Sequence, residues 1–158
     1  MSSKFEILMN QLGTSEQLKQ DPALIDASIE RVVVHKISKV WEFHFVFSKI
    51  LLIEIFLELK KGLSEEFSKT GNQAVFEIKA LSQEFSNQLL QAYYKEAFSE
   101  GPCASQGFKS LYQNLQVRAE GNQLIIEGSE VIDKEHFKKN HLPNLAKQLE
   151  RFGFPAFV

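Results

Sequence analysis

Apolar and polar positions alternate through WEFHFVF (41–47), with Trp41, Phe43, Phe45 and Phe47 at every second place and Glu42 and His44 between them. A period of two means a strand, and it sets all four rings on one face. Upstream, IERVVVHKI (29–37) is rich in β-branched residues, and only a tight turn near Ser38 and Lys39 separates the two runs. Together they predict a hairpin. The period then lengthens. Leu52, Ile55, Phe56, Leu59, Leu63 and Phe67 recur at intervals of three and four, the stripe of a helix laid on that hairpin. Thr70-Gly71-Asn72 ends the helix, and AVFEIKA (74–80) alternates as a further strand.

The flanking segments follow the same logic. KFEILMNQLG (4–13) carries Phe5, Leu8, Met9 and Leu12 at helical spacing and stops at Gly13. Thr14 to Ser28 is more polar and holds Pro22, so it reads as a connector with one helical turn. Phe85 to Ser99 is helical, with Leu89, Leu90, Tyr93, Tyr94, Ala97 and Phe98 on a broad apolar face and Ser86 or Ser82 as its cap. Gly101-Pro102 breaks the chain, and SQGFKSLY (105–112) is a weaker short helix because Gly107 lies inside it. LQVRAEGNQLIIEG (115–128) is the clearest hairpin, turning at Gly121-Asn122. After Gly128 come one helix up to Lys139 and another opened by Pro143, carrying Leu145, Leu149 and Phe152. Gly153 ends that helix, and FPAFV (154–158) reads as the start of a strand.

The class expected is α+β: two small hairpin–helix–strand units, alike in pattern only. Residues 1–28 form an N-terminal helix and connector, 29–84 a first subdomain, and 85–158 a second. With its preceding helix the second unit runs α-β-β-α-α-β, the element order of a type II KH domain. Nucleic-acid-binding KH domains bring a GXXG loop between two helices close to the phosphates. The corresponding turn, Lys139-Asn140-His141-Leu142-Pro143, contains no glycine.

Composition narrows the function classes. A chain of 158 residues is one ordinary domain or two small ones. Fourteen phenylalanines against one tryptophan and three tyrosines imply that most rings are buried, because Phe has no polar tip. A formal charge of −2 excludes a strong whole-chain attraction to DNA but leaves room for a local basic patch. The lone Cys103 has no cysteine partner, and with no signal peptide the reading is a reducing, cytoplasmic setting. The apolar run from Lys49 to Leu59 falls far short of the ~20 residues of a membrane span, so no membrane role is implied.

No catalytic, cofactor-binding or metal-binding residue is assigned. The four histidines lack ligand spacing, although His35 and His44 sit on the two strands of the first hairpin and can lie across from each other. Cys103 has no general base beside it, no Ser stands in a GxSxG elbow, and the eight glycines stand singly at turns rather than in a phosphate loop. The candidate partner or DNA surface is HFKKNHLP (136–143), with His136, Lys138, Lys139, Asn140 and His141, joined by Arg118 on the second hairpin. A solvated helix end is the competing reading, since the helix dipole favours cations there anyway.

KVWEFHFVF, LLQAYYKEAF, FKSLYQNLQV and especially HFKKNHLPNLAKQLERFGF resemble, in one continuous register, the extreme N-terminus of the PolC-type DNA polymerase III α subunit. Leu52 stands where such proteins usually have a proline. The resemblance implies a non-catalytic N-terminal piece of a replicative, DNA-directed DNA polymerase with 3′–5′ exonuclease, C-terminally truncated in FPAFV. It implies no cofactor in this segment, because the polymerase and exonuclease motifs lie beyond residue 158. It also implies docking to another replisome protein such as the tau subunit, whose domain V is similarly KH-like. Weak contact of a KH-like module with single-stranded or primer–template DNA is the alternative. With each sheet covered by helices, the Trp41–Phe47 stripe is expected to be core rather than a platform for bases.

Overall fold

The computed structural model describes residues 3–99, 112–128 and 134–157. Gly101-Pro102, Cys103 and the short helix expected over 105–112, apart from Tyr112, lie outside the described residues, as does Val158. The chain divides into two compact units, 1–84 and 85–158.

In the first unit, α1 (Ser3–Leu12) buries Phe5, Leu8 and Met9 and stops at Gly13, whose φ of +64° suits a residue with no Cβ. The connector holds two turns of helix rather than one. These are α2 (Glu16–Lys19), capped by the Ser15 hydroxyl, and a 3₁₀ turn (Pro22–Leu24), capped by Asp21. Its apolar minority, Leu18, Ala23, Leu24 and Ala27, is fully buried.

Strand β1 (Ser28–His35) pairs antiparallel with β2 (Val40–Lys49), with a bulge between Ile29 and Arg31. The helix α3 (Ile53–Ser68) then carries the chain back, so that β3 (Gln73–Ser82) pairs parallel to β2. A parallel return needs a crossover of a dozen or more residues, and α3 supplies it. The sheet order is β1-β2-β3.

Phe43, Phe45 and Phe47 are buried, and Trp41 is half-buried at the end of their row. Successive rings stack, Phe43 on Phe45 at 5.7 Å and Phe45 on Phe47 at 5.5 Å between centroids. Phe5 of α1 meets Phe45 and Phe47 edge-on at 5.4 and 5.5 Å, and Phe67 of α3 meets Phe43 at 5.4 Å. The alternating stripe is core, each buried ring contributing about 2 kcal/mol or more. One residue of the α3 stripe departs from expectation. Leu52 is the N-cap and largely exposed, while its neighbour Leu51 is buried. Gly62 also departs, lying inside α3 rather than at a turn.

In the second unit, α4 (Asn87–Glu96) is capped by the Ser86 hydroxyl, which accepts from the Leu89 N–H at 3.0 Å. Strands β4 (Gln116–Glu120) and β5 (Gln123–Glu127) form the expected hairpin. Gly121 opens its two-residue turn at φ +60°, the glycine position of a II′ turn. Asn87 and Gln91, one helical turn apart on α4, occupy the outer edge of β4. The Asn87 Oδ1 accepts from the Ala119 N–H at 3.0 Å; the Gln91 Oε1 accepts from the Val117 N–H at 2.8 Å, and its Nε2 donates to the Leu115 carbonyl at 2.9 Å.

Two helices complete the unit, α5 (Lys134–Asn140) and α6 (Leu142–Arg151). The strand expected at FPAFV does not form over residues 154–157. Phe154 is instead fully buried, 5.1 Å from Phe85 and 5.3 Å from Tyr93, and Phe157 packs on Phe85 at 5.9 Å. The aromatics thus go to the α4 side, and the β4 edge they would have extended is already bonded to Asn87 and Gln91. Among the described residues the class is α+β as expected, but the second sheet has two strands, so the type II KH order is not completed.

Candidate functional site

The basic string lies where α5 gives way to α6. His141 alone separates the two helices: its N–H bonds to the Phe137 carbonyl at 2.9 Å, and its own carbonyl accepts from Leu145 at 3.0 Å. Pro143, at the second position of α6, has no N–H with which to continue the ladder of α5, so the axis breaks there. No open loop exists between the helices of the kind a GXXG turn would need.

Phe137 and Leu145 point inward and are buried, with Phe137 packed on Tyr112 at 4.7 Å. Lys138, Lys139 and Asn140 are exposed, and among the described residues neither lysine makes an ion pair. Asn140 turns back on its own helix, its Nδ2 donating to the His136 carbonyl at 3.2 Å and lying 3.0 Å from the His136 Nδ1.

His141 was expected outside with the lysines, adding charge below about pH 6.5. It is half-buried instead, its ring 5.1 Å from His136, 5.7 Å from Tyr112 and 6.1 Å from Phe137. Loss of water, and secondarily the neighbouring His136, hold its pKa below the usual histidine value. It is therefore a poor source of positive charge near neutrality.

Arg118 does not join the cluster as a free cation. On β4 its guanidinium is hydrogen-bonded to Glu127 across the hairpin and lies 3.4 Å from the Glu120 carboxylate. The Glu127 hydrogen bond is the main cause of a pKa held above the ordinary arginine value, and two carboxylates leave little of its charge for a partner. Of the six candidate residues, the structure leaves Lys138 and Lys139 as the charged pair open to solvent on α5.

A second constellation escaped the sequence reading. On the sheet face opposite the aromatic row, the Glu42 Oε2 lies 3.6 Å from the Nε2 of both His35 and His44, and the His44 Nδ1 lies 3.5 Å from Glu77. His35 and His44 are not directly opposed. His35 pairs with Val40 and His44 with Arg31, and Glu42 bridges them. Alternation told that Glu42 and His44 face away from the rings, but Glu77 joins only through the parallel register of β3. Among the described residues no group of three potential ligands is arranged to hold a metal ion, and no helix is long and apolar enough to cross a membrane.

Comparison with known proteins agrees with this division of the chain. The family model for DNA polymerase III polC-type N-terminus I matches residues 4–78, within the first unit, and that for N-terminus II matches residues 92–157, within the second. A PolC-type DNA polymerase III of Streptococcus pneumoniae is 86% identical over 157 residues, 99% of this chain and 11% of its own length. That of Streptococcus sanguinis is 62% identical over 158 residues, and one from Streptococcus pyogenes is 43% identical over 154, covering 100% and 98% of this chain and 11% and 10% of their own lengths. The chain thus spans about a tenth of the length of the relatives it matches. No solved structure matches. Through both of its units, the chain belongs to the family of PolC-type DNA polymerase III N-termini.

Proposed function

We propose that the chain serves DNA replication as a non-catalytic N-terminal region of a cytoplasmic, PolC-type replicative DNA polymerase, and that it docks the enzyme to another replisome protein such as the tau subunit. The observation that carries the docking reading is the pair Lys138 and Lys139. Both are exposed at the last turn of α5, are free of ion pairs among the described residues, and stand beside the buried anchor Phe137. Two cations on a rigid helix end raise the local potential despite the net charge of −2, and an acidic protein surface is the complementary target. Weak DNA binding is less well supported, because Arg118 is committed to carboxylates, the α5–α6 junction is one residue long, and no glycine brings the backbone near a phosphate.

The test replaces Lys138 and Lys139 by Glu and titrates parent and variant against purified tau subunit and against a single-stranded oligonucleotide, at about 50 and about 200 mM salt. Docking predicts tau binding that persists at the higher salt and weakens severalfold in the variant, with melting temperature nearly unchanged. Binding to the oligonucleotide alone, collapsing with salt, would overturn docking in favour of DNA contact.

A further inference from the structure

β1 is an edge strand of its sheet, and it is not blunted along its middle. An antiparallel pair uses the N–H and C=O groups of alternate residues, so those of the remaining residues of β1 point outward, away from β2. Val32 and Val34, which sit opposite Phe43 and Trp41 on the aromatic face, are 39% and 44% exposed. Just past the strand, Ile37 is 100% exposed. A free edge lined by apolar side chains is the geometry to which another strand adds.

The sequence of this edge identifies what can add. Reflected about Val33, IERVVVHKI matches itself in residue character: Val32 with Val34, Arg31 with His35, Glu30 with Lys36 and Ile29 with Ile37. An isologous two-fold contact requires this property, since residue i of one copy meets residue j of the other and j meets i. The charges are complementary, not merely symmetric. Glu30 meets Lys36 of the second copy at one end of the contact, and Lys36 meets Glu30 at the other. Neither residue makes an ion pair within the described residues of its own chain. The bulge between Ile29 and Arg31 lies outside the regular stretch Arg31–His35, so it does not interrupt the pairing.

We propose that β1 pairs antiparallel with β1 of a second copy of this chain, centred on Val33, and joins two three-stranded sheets into one of six strands. Val32 and Val34 of both copies then form one row that extends the aromatic face, and the exposed Ile37 of each copy meets Ile29 of the other. The contact goes beyond the docking reading and involves none of its residues. One strand edge is at the small end of specific interfaces, so association is expected at roughly micromolar to tens of micromolar concentration.

Sedimentation of the 158-residue chain from about 1 to about 300 µM spans that range. The expected mass rises from one chain towards two. Val34→Lys, at an exposed position where lysine blocks an edge, should hold the chain at one copy throughout without lowering its melting temperature. The charge exchange fixes the register. Glu30→Lys alone and Lys36→Glu alone should each weaken association severalfold by setting like charges together at both ends, and the double variant should restore it. A single-chain mass at every concentration, association indifferent to Val34→Lys, or a double variant no stronger than the single ones overturns the proposal.

Discussion

Truncating Phe45 to alanine tests the claim that the aromatic row is structural. The side chain is 1% exposed and contacts Phe5 at 5.4 Å, Phe47 at 5.5 Å, and Phe43 and Phe76 at 5.7 Å each. Removing it forfeits the transfer term and leaves a cavity walled by four rings, which collapse poorly because each is held by others. Phe-to-Ala changes in such sites cost about 3–5 kcal/mol, and the edge-on and stacked pairs lost with it place the change in the upper part of that range. For a unit of this size each kilocalorie lowers the melting temperature by about 4–8 °C, so a drop of about 12 °C or more is expected. Trp41, the only tryptophan, provides the probe: it packs on Phe67 at 5.3 Å and Phe43 at 6.5 Å, contacts that the substitution leaves in place. Its emission in a urea titration therefore reports the first unit specifically. Glu42→Ala, on the opposite face of the same strand, is the control and should change stability by about 1 kcal/mol or less. A Phe45→Ala midpoint within about 1 kcal/mol of the parent would refute the core assignment, since no buried ring at this packing is so cheaply lost.

Gly62→Ala should stabilise the first unit by about 0.5–1 kcal/mol in the same titration, because Gly62 lies inside α3 and an added Cβ would meet Leu12 and Thr14 at 3.6–3.9 Å, ordinary contact distances. Gln91→Ala should cost about 1–3 kcal/mol by leaving the Val117 N–H and Leu115 carbonyl without partners. Faster hydrogen exchange at the Val117 amide would report the loss directly. An NMR titration should place the His141 pKa below 6.5, and His136→Gln should move it upward. Because the folded state holds that proton less tightly than the unfolded chain, the associated stability is fully present above about pH 6.5 and is lost as pH falls through the folded value.

Periodicity made most of the fold legible, because burial on one face writes itself into the order of residues. The hairpins at 29–47 and 115–127, the stripe of α3 and the cap at Ser86 were all readable from local spacing. Pairing was not. Nothing in AVFEIKA states that β3 lies parallel to β2, and the constellation of His35, Glu42, His44 and Glu77 exists only because it does. FPAFV shows the converse failure. Its residues suit a strand, but a strand needs an edge, and the amide side chains of Asn87 and Gln91 had already taken the outer edge of β4. That competition is between groups some thirty residues apart in sequence, beyond the reach of any window.

The candidate surface was partly legible for the same reason. Spacing of four along a helix separates Phe137 and Leu145 from the lysines, and the structure keeps that separation. Charge, however, depends on neighbours. Arg118 reads as a cation, yet Glu127 opposes Gln116 one step along the ladder and reaches it from across the hairpin. His141 reads as a polar turn residue, yet the broken helix axis at Pro143 tucks its ring among Tyr112, Phe137 and His136. What remains available to a partner is then smaller and simpler than the sequence implied: two lysines on one helix turn, set on a buried phenylalanine. A surface of that kind discriminates by position and sign of charge rather than by a shaped pocket, which is why reversing both charges, rather than removing one, is the informative substitution there.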